Sequence, residues 1–461
     1  MNMKHSFATF LPFIFCAVSV FGDPRDGKMT VPFESVEQFI TAKAIPIDFP
    51  QGDCNYHSII QASDGYIYFS LSTHNLDYAS RFYRFDPDAE EIVLLGKMDE
   101  ALGEDATRQI SQGKIHTRLF EHRGKIWFAT HTSFYKDLLP GIDSGEKTPY
   151  QGGHFVNYDL KTGRFEDVAK VFPSEGILTM TIDRKNDILY GLTWPSGILV
   201  SYDLEKKDLR LWGGLQQQED HICRALAIDP DGHVYGCVEG GGIWKYDSSK
   251  SKRVNQIEGL DLSRVPFAQL AVEANEYPAL QMWRAIEWNP NTQSFWGTHL
   301  GATTLFEFVP TTNFIRAVAD LRHEAYLGLA SNPELSQLGF MIGPENTIYY
   351  LAHGPAMAMK DRPKVEPCLY LITYEIDTGK YTNHGPIFTT DRRRVFFSES
   401  IAIGRDDHIY TAAWVEVLDP DRRRTLLEAR QEGAAAETSE MVYETQLVKL
   451  PKWQTFVRGE N

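Results

Sequence analysis

One short pattern recurs along most of this chain, and it constrains the fold more than any single residue does. An apolar strand leads into a turn rich in Asp, Asn and Gly, then come a strand with alternating aromatics, a gap, and a strand ending near Tyr-Asp or Phe-Asp. The second and third strands of successive units are read at 66–70 with 82–86, 126–130 with 155–159, 189–192 with 199–203, 234–238 with 243–247, 295–299 with 305–309, 348–352 with 369–376, and 409–414 in the last unit. Period-two alternation marks these as strands. Turns such as Ser63-Asp64-Gly65, His122-Arg123-Gly124 and Asp231-Gly232 supply the tight or left-handed positions that hairpins require. Each unit is therefore an antiparallel meander, repeated about every 45 to 63 residues, in or above the range for propeller blades. The expected fold is all-β: a seven-bladed β-propeller of four-stranded antiparallel blades, with a pair of β-sandwiches as the alternative. Stacked blades bury both faces of each sheet, which accounts for the 12% aromatic content. The charged segment 419–440 reads as a solvated insertion in the last unit, and 39–49 is expected to add an outer strand there and close the ring.

The N-terminus places Lys4 and His5 before an apolar run over 7–21, followed by Gly22 and Asp23-Pro24. That is the order of a signal peptide. The run is shorter than the roughly 20 residues that span a bilayer. The reading is a signal peptide over 1–22, a single propeller domain over 23–461, export to the periplasm or beyond the cell, and no stable membrane insertion after cleavage. Four cysteines remain: Cys54, Cys223, Cys237 and Cys368. Cys223 and Cys237 flank Asp229-Pro230-Asp231-Gly232, so a hairpin sets them roughly opposite each other, as a disulfide or as two buried thiols.

The formal charge of -16 disfavours a general polyanion-binding surface. No nucleic-acid partner is expected, since Lys206-Lys207 and Arg422-Arg423-Arg424 are short and lie among acidic residues. No phosphate-binding Gly-x-x-x-x-Gly-Lys loop or dinucleotide fingerprint occurs, and Gly240-Gly241-Gly242 sits between two strands as a blade turn.

In a meander blade the start of the inner strand and the end of the second strand lie at one mouth of the channel. The second strands end at His74, His131, Trp194, Glu239, His299, His353 and Trp414, and the inner strands begin near His57, His116, Thr179, Arg224, Arg284, Phe340 and Glu399. Six of the 14 histidines fall in these positions. A lone histidine is as often a structural one; the set is harder to explain that way, because one channel mouth would hold it. His154 enters by the loop Tyr150-Gln151-Gly152-Gly153, which sets it facing His131, and Arg284 is expected beside His299. Histidines move protons or bind metals, arginines grip carboxylates, and tryptophans stack on sugar rings. That set suits an acidic polysaccharide or oligosaccharide, with β-elimination at a uronate as the reaction.

At these residues the sequence resembles the seven-bladed propeller polysaccharide lyases, in particular the ulvan lyase type. The resemblance rests on the architecture over nearly the whole mature chain and on Thr130-His131-Thr132 followed by Gly152-Gly153-His154. It implies that His131 and His154 are the catalytic pair and that Arg224 binds the uronate carboxylate. The family's tyrosine has no clean counterpart, since the third unit ends Gly191-Leu192-Thr193-Trp194-Pro195; Tyr190 takes the role here, with Tyr150 as the substitute. Arg284, His299, His353, Trp194 and Glu399 complete the expected substrate-binding set. Two rivals are a hydrolase or lactonase with a divalent metal ion held by His131, His299, His353 and Glu239 or Glu399, and a non-catalytic propeller that captures a glycan or protein at the same mouth.

Overall fold

The recurrent Tyr-Asp and Phe-Asp strand ends are turn devices. Asp86 Oδ1 accepts the backbone N–H groups of Asp88 and Ala89, Asp159 Oδ1 those of Lys161 and Thr162, and Asp203 Oδ1 those of Glu205 and Lys206. Each carboxylate closes the turn between a third and a fourth strand. A second device closes the turn before the second strand: Tyr68 donates to Asp64 at 2.7 Å, Tyr235 to Asp229 at 2.9 Å and Tyr410 to Asp406 at 2.7 Å.

The computed structural model describes residues 30–32, 39–133, 148–215, 222–238, 242–247, 255–261, 282–299, 303–323, 338–359, 362–430 and 442–459. In it the turns join five four-stranded antiparallel meanders. The first consists of Ile59–Gln61, Ile67–Leu71, Arg81–Asp86 and Glu91–Lys97; the second of Phe120–His122, Lys125–Ala129, His154–Asp159 and Arg164–Lys170. The third holds Gly176–Asp183, Ile188–Trp194, Ile198–Asp203 and Asp208–Gly214; the fourth Ala227–Ile228, Val234–Cys237, Gly242–Tyr246 and Asn255–Asp261; the fifth Trp283–Asn289, Ser294–His299, Thr304–Val309 and Phe314–Asp320.

The remaining strands form a ten-stranded sheet that holds two further antiparallel runs. One runs Phe340–Gly343, Thr347–Met359, Arg362–Glu375, Lys380–Thr389. In the other, Val395–Ser398 and Ala402–Ile403 flank His408–Glu416, which pairs with Tyr443–Lys452. Ile40–Ile45 completes this run, setting Lys43, Ala44 and Ile45 opposite Lys449, Val448 and Leu447. A parallel pairing of Ile40–Ile45 with Lys380–Thr389 fuses the two runs. The architecture is an all-β propeller of four-stranded antiparallel sheets.

Sheets pack through large side chains. Phe82 of the first stacks on Phe128 of the second at 5.0 Å, with Tyr158 and Phe165 closing around them. Each such ring, taken fully from water, contributes about 1.5–3 kcal/mol. The charged insertion is not wholly solvated: Pro420–Arg430 forms a helix that buries Leu426 beside Val417 and Val442. Cys54, Cys223, Cys237 and Cys368 are buried thiols, with the sulfurs of Cys223 and Cys237 3.2 Å apart. The signal-peptide reading over 1–22 lies outside the described residues. Among the described residues no helix is long and apolar enough to cross a membrane.

Candidate functional site

Bulges at the inner strands aim the site. The ladders shift register between Ile177 and Thr179 and between Trp283 and Ala285, leaving Leu178 and Arg284 as extra residues. An extra residue turns its side chain or carbonyl off the ladder. Arg284 accordingly does not lie beside His299, which pairs with Trp283; its Nη2 donates to Glu399 Oε1 at 2.5 Å. The freed Leu178 carbonyl accepts a hydrogen bond from His116 Nδ1 at 2.9 Å. A carbonyl can only accept, so His116 carries its proton on Nδ1.

Two single bridges bring the rest together. Lys114 and His131 exchange backbone hydrogen bonds of 2.9 and 2.8 Å, and directly paired residues share a face. The His131 ring meets His116 edge-on at 6.1 Å and Trp194 at 5.1 Å. It lies so close over the third sheet that a Cβ on Gly176 would sit 2.0 Å from His131 Nδ1. Tyr56 forms the other bridge, with Glu399, and stacks on His116 at 4.2 Å. Its hydroxyl is 3.1 Å from His74 Nε2 and receives a hydrogen bond from Lys114 Nζ at 3.4 Å. His74 Nδ1 is 3.0 Å from Asp53 Oδ1, and the His74 backbone N–H donates to Asp53 Oδ2 at 3.1 Å. A continuous chain therefore runs Asp53, His74, Tyr56, Lys114.

Burial raises the Asp53 carboxyl, but the His74 ring beside it prevails and holds it down at about 2. Burial pushes His116 and His131 well below the usual imidazole range, helped by Lys114 and Arg224 near both. His57 moves the same way through burial, Arg118 and Arg284. Burial alone takes His299 and His353 down to about 4. These imidazoles are neutral at pH 7, and of them His57, His116 and His131 feel the nearby cations Lys114, Arg224 or Arg284. Burial raises Glu399, against the pull of Arg284, Lys114 and His74. A cavity of about 370 Å³ is lined by His57, Phe120, Phe340 and Ile401, and there Arg118, just before the second sheet, pairs with Glu287 of the fifth at 2.8 Å.

Two of the expected catalytic residues lie elsewhere. Thr130 pairs with His154, so His131, the next residue along, points to the opposite face. His154 instead bonds Glu104 at 3.0 Å and Asp167 at 2.9 Å on the outer side, where Lys170 also reaches Glu104 at 2.7 Å. Tyr190 lies between Thr181 and Ser201 inside the third sheet, fully buried against Tyr246. Tyr150 is buried too and donates to Gln112 Oε1 at 2.5 Å. Arg224, Trp194 and Glu399 join the His131 cluster, whereas His353 packs at 5.5 Å on Phe397 and His299 is enclosed at the strand end.

The axial metal set does not converge: among the described residues no three of His131, His299, His353 and Glu399 bring donor atoms within 4.8 Å of one another, and Glu239 lies outside the described residues. Asp53, Cys54 and His74 do come that close. There His74 Nδ1 is engaged by Asp53, and burial pushes the Cys54 thiol up to about 12, which leaves it protonated.

The outer cluster gives a pH signature. Burial raises Glu104, but hydrogen bonds from His154, Lys170 and Gln112 outweigh it and hold the carboxyl at about 2 against an ordinary 4.5. Its stabilisation is present above pH 4.5 and lost as pH falls towards 2, a loss of about 3 kcal/mol. Urea unfolding across that window is expected to show the loss in the native protein and a visibly smaller one in Glu104→Gln. His154 is raised by the same carboxylates against its burial, so its contribution holds below the ordinary imidazole value and is lost as pH rises through its folded one.

Sequence reasoning overlooked Asp53, Tyr56 and Lys114 and left His74 out of the chosen set. The available signal was position: Tyr56 directly precedes His57, and Lys114 stands two residues before His116, on the same face.

No protein-family model matches the chain, and none of the curated proteins matches it. Solved structures similar to it include a protein from Lactobacillus plantarum, at 9% identity over 84% of this chain and 99% of that one, with a TM-score of 0.47. A protein provisionally assigned as a 6-phosphogluconolactonase from Bacteroides uniformis aligns at 12% identity over 71% of this chain and 83% of that one, with a TM-score of 0.41. A chain of the mitotic checkpoint complex aligns at 13% identity over 89% of this chain and 96% of that one, with a TM-score of 0.46. At these identities and TM-scores the matches bear on neither reaction nor substrate.

Proposed function

We propose that the protein is an exported polysaccharide lyase that cleaves a uronic-acid-containing chain by β-elimination, with Tyr56 moving the proton. The observation that carries this is the chain Asp53, His74, Tyr56, Lys114 beside neutral His116 and His131 and cationic Arg224. His74 Nε2 accepts the phenolic proton, and the Lys114 ammonium stabilises the resulting phenolate. The phenolate takes the proton from the carbon next to the uronate carboxylate. The C–H electron pair becomes a C=C bond as the bond to the leaving oxygen breaks, and Tyr56, now protonated, returns the proton to that oxygen. Arg224 and the N–H group of His131 hold the carboxylate in its enolate-like form, and Trp194 stacks on the sugar. Tyr56 supplies the tyrosine that the ulvan lyase resemblance requires, from another blade than expected.

The product is an unsaturated uronate that absorbs in the ultraviolet. Purified mature protein mixed with a panel of uronic-acid polysaccharides is expected to give a rising absorbance that His131→Ala removes. Binding of a glycan with no absorbance change on any member would turn the reading to a capture propeller.

A hydrolase or lactonase is the second reading, favoured by Glu399, whose buried Oε2 has no hydrogen-bond partner among the described residues and whose carboxyl burial raises. Activation of water there would give saturated products and acid release without absorbance.

A further inference from the structure

We infer that Asp53 is a positioning residue that sets the tautomer of His74, so that Nε2 is free of its proton and faces the Tyr56 hydroxyl. The inference rests on the proposed role of Tyr56 for its catalytic consequence, but the tautomer itself is a property of the folded protein.

Both oxygens of the Asp53 carboxylate are engaged by His74, Oδ1 by ring Nδ1 at 3.0 Å and Oδ2 by its backbone N–H at 3.1 Å. Two contacts to one residue fix the ring plane as well as its distance. An ionised carboxylate can only accept, so the facing Nδ1 must carry hydrogen, and a neutral ring then presents a lone pair at Nε2. That lone pair lies 3.1 Å from Tyr56 Oη. With the opposite tautomer, Nε2–H would donate to the phenol and could not take its proton.

Asp53 is held from the last run of strands. Its carbonyl accepts the Trp414 indole N–H at 2.5 Å, and Trp414 stacks on Tyr443 at 3.8 Å. Cys54, the next residue, is bridged to Ser72 by backbone hydrogen bonds of 3.4 and 2.8 Å, tying Asp53 to the strand end that carries His74. The strands of the last run therefore orient the first blade's histidine. The other charged or titratable groups beside the relay are Lys114 at the phenol oxygen, His116 under the Tyr56 ring, Glu399 on its bridge and Cys54, whose sulfur lies 3.9 Å from His74 Nδ1. Burial keeps the Cys54 thiol protonated and neutral, and at 3.9 Å it is a weaker partner for Nδ1 than the Asp53 carboxylate at 3.0 Å.

The test is nitrogen NMR on full-length mature protein carrying labelled histidine, at a pH alkaline enough for His74 to be neutral, with His74→Gln to assign its signals. The native protein is expected to show the Nδ1–H form at His74, and Asp53→Asn a shift towards Nε2–H. Turnover of a uronate polymer should fall about 10²–10⁴-fold in Asp53→Asn with KM little changed, and Asp53→Glu should recover part of it. A native Nε2–H tautomer, or an unchanged tautomer in Asp53→Asn, would overturn the inference. The tautomer shift without turnover of any uronate polymer by the native protein would sink the lyase reading and leave the positioning role standing.

Discussion

Tyr56→Phe is expected to lower kcat on a uronate polymer by about 10³-fold. Phenylalanine keeps the ring that stacks on His116 at 4.2 Å and loses only the oxygen that His74 and Lys114 address. That oxygen is the sole atom shared by the two partners, so no neighbouring group takes its place. KM should change little, because carboxylate binding rests on Arg224 and His131. Stability should change by no more than about 1 kcal/mol, the worth of one partly exposed hydrogen bond. Steady-state kinetics alongside urea unfolding check both halves. Wild-type turnover in Tyr56→Phe would remove the tyrosine from the chemistry, whereas a large loss of stability would mean the hydroxyl is structural.

Arg394→Leu should cost about 3–5 kcal/mol of folding stability, the largest stability effect we expect. Arg394 and Glu416 are both buried, joined by Nη2 to Oε1 at 2.7 Å and by the Arg394 backbone N–H to Oε2 at 3.1 Å. Removing the guanidinium leaves a carboxylate in an apolar surround without its charge partner, and that uncompensated charge accounts for most of the loss. Replacing both residues by apolar ones of similar volume, Arg394→Leu with Glu416→Leu, should recover most of it. The pair joins Val395–Ser398 to His408–Glu416 in the run that Ile40–Ile45 completes, so damage here loosens the closure of the ring. Urea midpoints of the two single variants and the double variant decide the matter; a single variant as stable as the parent would show that the pair is replaceable.

Much of the fold could be read in advance because its signals are local. Asp86, Asp159 and Asp203 each bond backbone two and three residues on, and the turn aspartates meet tyrosines four or six residues away. Such contacts repeat with the unit and so show in the sequence. The closing strand was expected within 39–49 from the need to complete the last unit, and it lies at Ile40–Ile45 through pairings with 447–449. The clustering was legible in part: strands read as ending at His74, His131 and Trp194 and starting at His116 and Arg284 supply residues that the structure brings near one another. Roles within it were not. The His131 and His154 pair failed on parity, because Thr130 rather than His131 is His154's strand partner, and period two sends the two rings to opposite faces. Arg284 failed on a bulge, which no residue type announces.

What the sequence by itself determined is the repeating meander, the polarity of each strand and hence the mouth at which histidines and arginines collect. These follow from periodicity and turn chemistry over a few residues. Only the tertiary structure decided that Tyr56 rather than Tyr190 lies against His74 and Lys114, that Arg284 answers Glu399, and that His154 serves an outer cluster with Glu104. Those choices depend on which residues from separate blades meet across the channel, over separations such as the 115 residues between Arg284 and Glu399. Contacts of that range are set by ring closure and bulge geometry, and neither leaves a local trace.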